Sequence, residues 1–207
     1  MKFYLSSYGL GNQVEELKKL IPNKKIGYIP NARDRSGADP ETKKEKAERD
    51  IGLLRDIDIE IEMLDLSDYF GKKEELKKKI EELGAIFICG GNSFVLLQAM
   101  KLSGLDEILK EIKDTDFLYS GYSAAGCVLF STMKAYPIVD DSTDMPYEGI
   151  KETVWEGLGL IDFAFMPHWN SDHPESADID KEIEFCKQNN IPYKAIRDGE
   201  VIMIENF

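Results

Sequence analysis

No two cysteines stand near each other in this chain. Cys89, Cys127 and Cys186 are the only three, and no pair has the short gap of a metal knuckle or redox motif. An odd, scattered set excludes a disulfide-stapled scaffold and is the pattern of a reducing, cytoplasmic setting. Long hydrophobic runs are also missing. None approaches the ~20 residues of a membrane span, and the opening MKFYLSSYG lacks the apolar core of a secretory leader. Positive charge is scarce: 26 Lys and Arg against 39 Asp and Glu leave a net charge of −13. Such a surface repels phosphate backbones and anionic lipid, so neither a nucleic-acid nor a membrane partner is expected. Histidine is scarcer still, with only His168 and His173.

What is present is the composition of an ordinary globule, 43% hydrophobic and 31% charged over 207 residues. That length suits a single domain, 1–207, which buries roughly 70% of its unfolded surface and needs no metal or disulfide to fold. Apolar runs at 2–6, 25–30, 57–64, 85–89, 116–120 and 161–167 read as strands, several apolar on both faces as buried parallel strands are. Helical stripes lie between them: Ala47, Ile51 and Leu54; Leu76, Ile80 and Leu83; Leu105, Ile108, Leu109 and Ile112; Ile179, Ile183 and Cys186. The alternation predicts a three-layer α/β/α sandwich with a mostly parallel sheet. The charge runs KKEKAERD and KKEELKKKIEE read as solvated outer helix faces. Residues 131–160, rich in Pro and Gly, read as a looped insertion with room for a short hairpin, and 193–207 as two short strands around an Asp198-Gly199 turn.

Residues 118–127, LYSGYSAAGC, pose the functional question. A strand, a glycine-flanked serine and an apolar helical run make the setting of a nucleophile elbow, in which a tight turn projects one hydroxyl above the carboxyl ends of the strands. The helix after Ser123 would offer free amides and a positive dipole end to an oxyanion. The match to GxSxG is imperfect, because Ala125 stands two residues after the serine and the glycine arrives one later. A second loop, CGGNSFVLL at 89–97, also follows a strand and opens a helix. Asn92 or Ser93 can cap that helix, and the Gly91 amide can pair with that of Ala124 as an oxyanion hole.

A serine hydroxyl needs a base. His168 ends the run FAFMP and falls on the same rim as Ser123, whereas His173, before Pro174, reads as a turn or capping residue. The imidazole in turn needs a carboxylate. Asp198, in the turn after YKAI, and Asp144, in TDMP within the looped insertion, are both candidates, and spacing does not choose between them.

In their order, GGNSFVLL, GYSAAG, TDMP, PHW and an acid–Gly turn resemble the peptidase E (α-aspartyl dipeptidase) family of serine peptidases, peptidase family S51, over nearly the whole chain. The resemblance implies a fold like the class I glutamine amidotransferases, a small peptide substrate and no metal or organic cofactor. Position by position it implies Ser123 as nucleophile, His168 as general base, Asp198 as the acid that orients it, Asp144 as a further acid needed for activity, and Gly91 and Ala124 as oxyanion-hole amides. Three departures stand out. Ser-Ala-Ala-Gly replaces Ser-Ala-Gly, Asp198 is a methylene shorter than the family's glutamate, and residues 174–190 contain no arginine where the family carries one that reads an aspartyl carboxylate. Substitutes for substrate binding are Arg33 and Arg35 in NARDRS, with Asn92 beside the oxyanion loop.

The expectation is a cytoplasmic dipeptidase-like hydrolase using Ser123, His168 and an aspartate, with residues 131–160 capping the pocket and a homodimer left open. Three rivals remain. One is a catalytically silent small-ligand-binding protein on the same scaffold. Another is a cysteine enzyme using Cys127 or Cys89, although both read better as core packing. The weakest is a nucleotide site at GLGNQV, which lacks the third glycine of the dinucleotide fingerprint.

Overall fold

The computed structural model describes residues 1–205. Its strands are β1 (Lys2–Ser6), β2 (Lys25–Ile29), β3 (Glu60–Met63), β4 (Ala85–Ile88), β5 (Leu118–Tyr122), β6 (Ala164–Met166), β7 (Tyr193–Ala195) and β8 (Val201–Glu205). The helices are α1 (Val14–Leu20), α2 (Pro40–Arg55), α3 (Lys73–Leu83), α4 (Ser93–Ser103), α5 (Leu105–Glu111), α6 (Ala124–Cys127) and α7 (Ser176–Gln188). Six strands form one sheet in the order β3-β2-β4-β5-β1-β8. All its pairings are parallel except β1 with β8. The result is the expected α/β architecture, a mostly parallel sheet with flanking helices.

The central strands are dry for the reason the sequence suggests. Every residue of β4 and β5 is buried, so their apolar side chains meet cover on both faces. The helical stripes face the same core: Leu76, Ile80 and Leu83 of α3, Leu105, Ile108 and Leu109 of α5, and Ile179, Ile183 and Cys186 of α7 are all buried. Helix α4 is apolar nearly all round and buried from Ser93 to Met100. Its free amides are capped by Asn92, whose Oδ1 accepts from Phe94 N at 2.8 Å and Val95 N at 3.1 Å.

Several boundaries differ from the expectation. β5 runs on through Gly121 and Tyr122, because Gly121 pairs with both Leu5 and Ile88 and stays inside the sheet instead of ending the strand. β3 starts at Glu60, after a turn at Asp58, where φ is 60°. β6 does not join the main sheet. β8 occupies that edge of β1, and β6 pairs instead with β7 in a separate two-stranded sheet. The two C-terminal strands therefore do not pair with each other, and their turn bridges two sheets. Within 131–160 the hairpin reduces to one isolated antiparallel bridge, Thr132 with Glu156. Asp50, inside the charge run KKEKAERD, points inward and is only 1% exposed.

The order of the sheet sets up the site. Four neighbouring parallel strands, β2, β4, β5 and β1, send their carboxyl ends to one rim. The segments that follow them carry Arg33, Gly91, Ser123 and Ser7, so residues far apart in sequence meet where open α/β sheets place ligands.

Candidate active site

Ser123 follows β5 directly, at φ 51° and ψ −108°. A side-chain-bearing residue pays steric energy in that region, and such residues persist where the surroundings over-determine them. The surroundings here are specific. Ser123 N donates to Ser6 O at the end of β1 (3.2 Å), and Ser123 O accepts from Gly126 N (2.8 Å) and Cys127 N (3.3 Å) as α6 begins. α6 is one short turn and does not carry the whole run CVLF. The displaced glycine of the elbow also has a physical reason. A Cβ on Gly126 would stand 2.3 Å from Phe165 Cδ1, so the glycine sits where the turn packs on β6. Among the described residues the Ser123 hydroxyl has no hydrogen-bond partner.

The GGN loop lies against this elbow. A Cβ on Gly90 would be 3.3 Å from Ser123 Cβ. At Gly91, φ is 154° and an added Cβ would fall 2.3 Å from Ala32 O, so only glycine lets the chain pass there. Asn92 N donates to that same carbonyl at 2.8 Å. The amides of Gly91 and Ala124 have no protein acceptor among the described residues.

His168 sits on the segment after β6. Its Nδ1 is 2.7 Å from Asp198 Oδ1. The loop carrying Asp198 is fixed from three sides: Asp198 N donates to Ser171 Oγ (2.8 Å), Trp169 N donates to Ile196 O (3.1 Å), and Asn12 N donates to Gly199 O (2.7 Å). The shorter aspartate therefore reaches the imidazole because the turn itself lies close. Ser7 supplies the remaining link. Its hydroxyl donates to Asp198 Oδ1 (2.7 Å) and accepts from His168 N (2.7 Å). Successive residues of one strand end thus tether both halves of the pair, Ser6 the serine elbow and Ser7 the histidine. His168 is 2% exposed, and burial lowers its pKa below the usual imidazole value against the opposing pull of the Asp198 hydrogen bond.

Ser123, His168 and Gly91 line one cavity of about 690 Å³, together with Tyr8, Arg35 and Glu175. Val139, Asp140 and Asp141 of the 131–160 segment form one of its walls. That wall is held by the start of α4: Asp140 Oδ2 accepts from Ser93 N at 2.9 Å and from Ser93 Oγ at 2.5 Å, and Asn92 Nδ2 donates to Asp141 O at 2.9 Å. Burial pushes the Asp140 carboxyl up to about 6.

The remaining expected residues divide. Asp144 is not beside His168. Its carboxylate accepts from Ser36 N (3.1 Å) and Ser36 Oγ (2.5 Å) and lies 3.8 Å from Arg35 Nε, which leaves Asp198 as the acid in contact with the imidazole. Arg33 is not a loop cation. It is 9% exposed and bonded to Asp50 (2.5 Å), Tyr122 (2.5 Å) and Tyr28 (3.1 Å), so its guanidinium is already spent on a buried network. The Asn92 side chain is likewise consumed by its cap and by Asp141. Arg35 lines the cavity with a side chain 61% exposed. Cys89 and Cys127 are buried, and burial pushes both thiols up, Cys89 to about 11, which argues against either as a thiolate nucleophile.

Three features escape the sequence: Ser7, Asp50 and the position of His173, whose ring stacks on His168 with centroids 3.8 Å apart and planes 9° apart. His168, His173 and Glu175 bring ligand atoms within 4.8 Å of one another. The stack nevertheless sends the two in-plane nitrogen lone pairs along nearly parallel planes, which do not converge on one ion at ~2.1 Å.

Comparison with known proteins places the chain in a family. The chain is 31% identical to peptidase E of Streptomyces coelicolor over 132 residues, 61% of this chain and 51% of that protein. It is 35% identical to an uncharacterized peptidase of Listeria monocytogenes over 127 residues, 61% of this chain and 56% of that protein. The matched stretch therefore spans just over half the length of these two relatives. A probable alpha-aspartyl dipeptidase of Drosophila melanogaster is 27% identical over 139 residues, 64% of this chain and 55% of that protein. The fold superposes on a candidate peptidase E from Listeria monocytogenes EGD-e with a TM-score of 0.72 at 21% identity, covering 100% of this chain and 98% of that one. A family model matches residues 9–207, all but the first eight positions, and on that match the chain belongs to peptidase family S51.

Proposed function

We propose that this protein is a serine peptidase that hydrolyses dipeptides or similarly short peptides next to their N-terminal residue. Ser123 Oγ attacks the scissile carbonyl. His168 Nε2, the ring nitrogen not engaged by Asp198, takes the hydroxyl proton and returns it to the leaving amine. Asp198 holds the proton on Nδ1 and stabilises the imidazolium that forms, as an acid in that position does in serine hydrolases. The amides of Gly91 and Ala124 receive the developing oxyanion, each contributing on the order of 3 kcal/mol when aligned. Water resolves the acyl-enzyme by the same path in reverse.

The observation that carries this reading is the 2.7 Å contact between His168 Nδ1 and Asp198 Oδ1 on the rim that also holds the strained Ser123. The cavity volume of about 690 Å³ suits a small ligand and not an extended chain. Residues 174–190 hold no arginine, and Glu175 stands in the cavity wall. An acidic N-terminal side chain therefore finds its cation elsewhere, with Arg35 the open candidate, and no strict Asp-Xaa requirement is expected. A fluorophosphonate probe should label the wild-type protein at Ser123, and a dipeptide and aminoacyl-amide library should be cleaved by wild type but not by Ser123→Ala. Hydrolysis that survives Ser123→Ala rejects the proposal.

A further inference from the structure

His173 is half-buried and does more than turn the chain. Its ring lies face to face with His168 at 3.8 Å, and Tyr8 meets both rings at the same centroid distance of 6.2 Å. His173 is itself anchored: its Nδ1 accepts from Glu175 N at 3.3 Å and lies 3.9 Å from Glu175 Oε2. The second histidine is thus built in against the flat face of the first, while Asp198 contacts the ring at Nδ1.

We propose that His173 is a positioning residue that acts through His168: its ring fixes the plane of the catalytic imidazole, and the stacked pair accepts one proton but resists two. The inference rests on His168 being the base in the peptidase reading above. A neutral imidazole offers its π face to the His168 imidazolium as it forms, which is favourable. A protonated one sets a like charge against it at stacking distance, with His168 itself buried and so little screened. Protonation of His173 therefore switches off the base without touching substrate.

The other charged groups around the pair do not duplicate this role. Asp198 faces His168 in the ring plane, and Glu175 faces His173 from the start of α7. Arg49 of α2 reaches the pair only across Tyr8, with its guanidinium carbon 5.5 Å from that ring centroid. Asp140 lines the cavity from the 131–160 wall. Asp198, Arg49 and Asp140 make no hydrogen bond or ion pair with His173, so their charges are common to both proteins. Glu175, in contrast, loses its His173 partner and is left to act on His168 alone; His173→Phe combined with Glu175→Gln removes that contribution.

Having only two histidines makes the test direct. Imidazole ¹⁵N NMR titration of His173→Phe shows a single ring signal, His168, and assigns both signals in the wild type. Phe keeps a stacked ring and removes the charge. The expected result is a His168 midpoint about one unit higher in His173→Phe than in wild type, with two coupled steps in the wild type. Superimposable His168 curves overturn the proposal. Should the Phe variant not fold, His173→Gln provides the same comparison. The acid limb of kcat/KM should follow the first of the two coupled steps in wild type and the single His168 midpoint in the variant, a change that a merely structural role does not produce. Absence of any hydrolysis would defeat the peptidase reading while leaving the NMR result to decide this one.

Discussion

Ser7 Oγ donates to Asp198 Oδ1, the same oxygen that faces His168 Nδ1, and both distances are 2.7 Å. The acid is therefore held from two sides, and its orientation does not depend on the histidine alone. Asp198→Asn should cut kcat by about 10⁴-fold with little change in fold, because an amide in that place favours the wrong imidazole tautomer. Ser7→Ala should cost about tenfold, the equivalent of one hydrogen bond near 1.4 kcal/mol. Asp144→Asn should leave kcat near wild type and act on KM, since that carboxylate holds Ser36 and approaches Arg35. Steady-state kinetics on one dipeptide separates the three. An Asp144→Asn loss as large as that of Asp198→Asn would reverse the assignment.

The backbone at Ser123 supplies a second test. At φ 51° and ψ −108° an alanine carries the same steric cost as the serine, whereas glycine does not. Both Ser123→Ala and Ser123→Gly should be inactive. Ser123→Gly should nevertheless be the more stable of the two, by about 1 kcal/mol in urea unfolding. Equal midpoints would mean that the elbow stores no strain.

Glu182 on α7 is 1% exposed and accepts from Val139 N at 3.1 Å, which ties α7 to the cavity wall. Burial pushes its carboxyl up to about 8. An unfolded glutamate releases its proton near pH 4.3, roughly. Between those values the folded state holds the extra proton, so this contribution is complete at low pH and is lost as pH rises through about 8. Glu182→Gln keeps an acceptor for Val139 and removes the loss. It should melt above wild type in alkaline buffer, and the gap should close as pH falls to about 4. A constant difference at all pH values would show that Glu182 ionisation is not the cause.

Arg33 and Arg35, two residues apart, should behave oppositely. Arg33→Met leaves Asp50 buried with Tyr28, Tyr122 and Arg49 but without its closest cation, and should cost about 3–5 kcal/mol of stability. Arg35→Ala removes an exposed, loose ion pair, should cost at most about 1 kcal/mol, and should raise KM for acidic substrates. Chemical denaturation and a substrate panel read the two effects independently.

Much of this site is legible in one dimension because its chemistry is local. Ser123 announces itself by the small residues that a strand-to-helix elbow requires, and His168 by scarcity, since only two histidines compete for the role. The cap at Asn92 follows from the same short-range logic. Ser7 is illegible for the opposite reason. A serine at a strand end is commonplace, and its value comes from Asp198, which is 191 positions away in sequence. Asp50 hides inside a run of charges, because helical periodicity turns one residue of that run inward and the sequence does not mark which.

By itself, then, the sequence determined the layered α/β class, the helices through their apolar stripes, the elbow serine and the histidine proposed as its base. These follow from spacing over a few residues, which chain geometry enforces. The tertiary structure alone decided that Asp198 and not Asp144 meets His168, that Arg33 is buried in an ion pair, and that His173 lies against its neighbour's face. Each of those depends on which strands become neighbours and which loops share a rim, and sheet order is fixed only when the whole core closes.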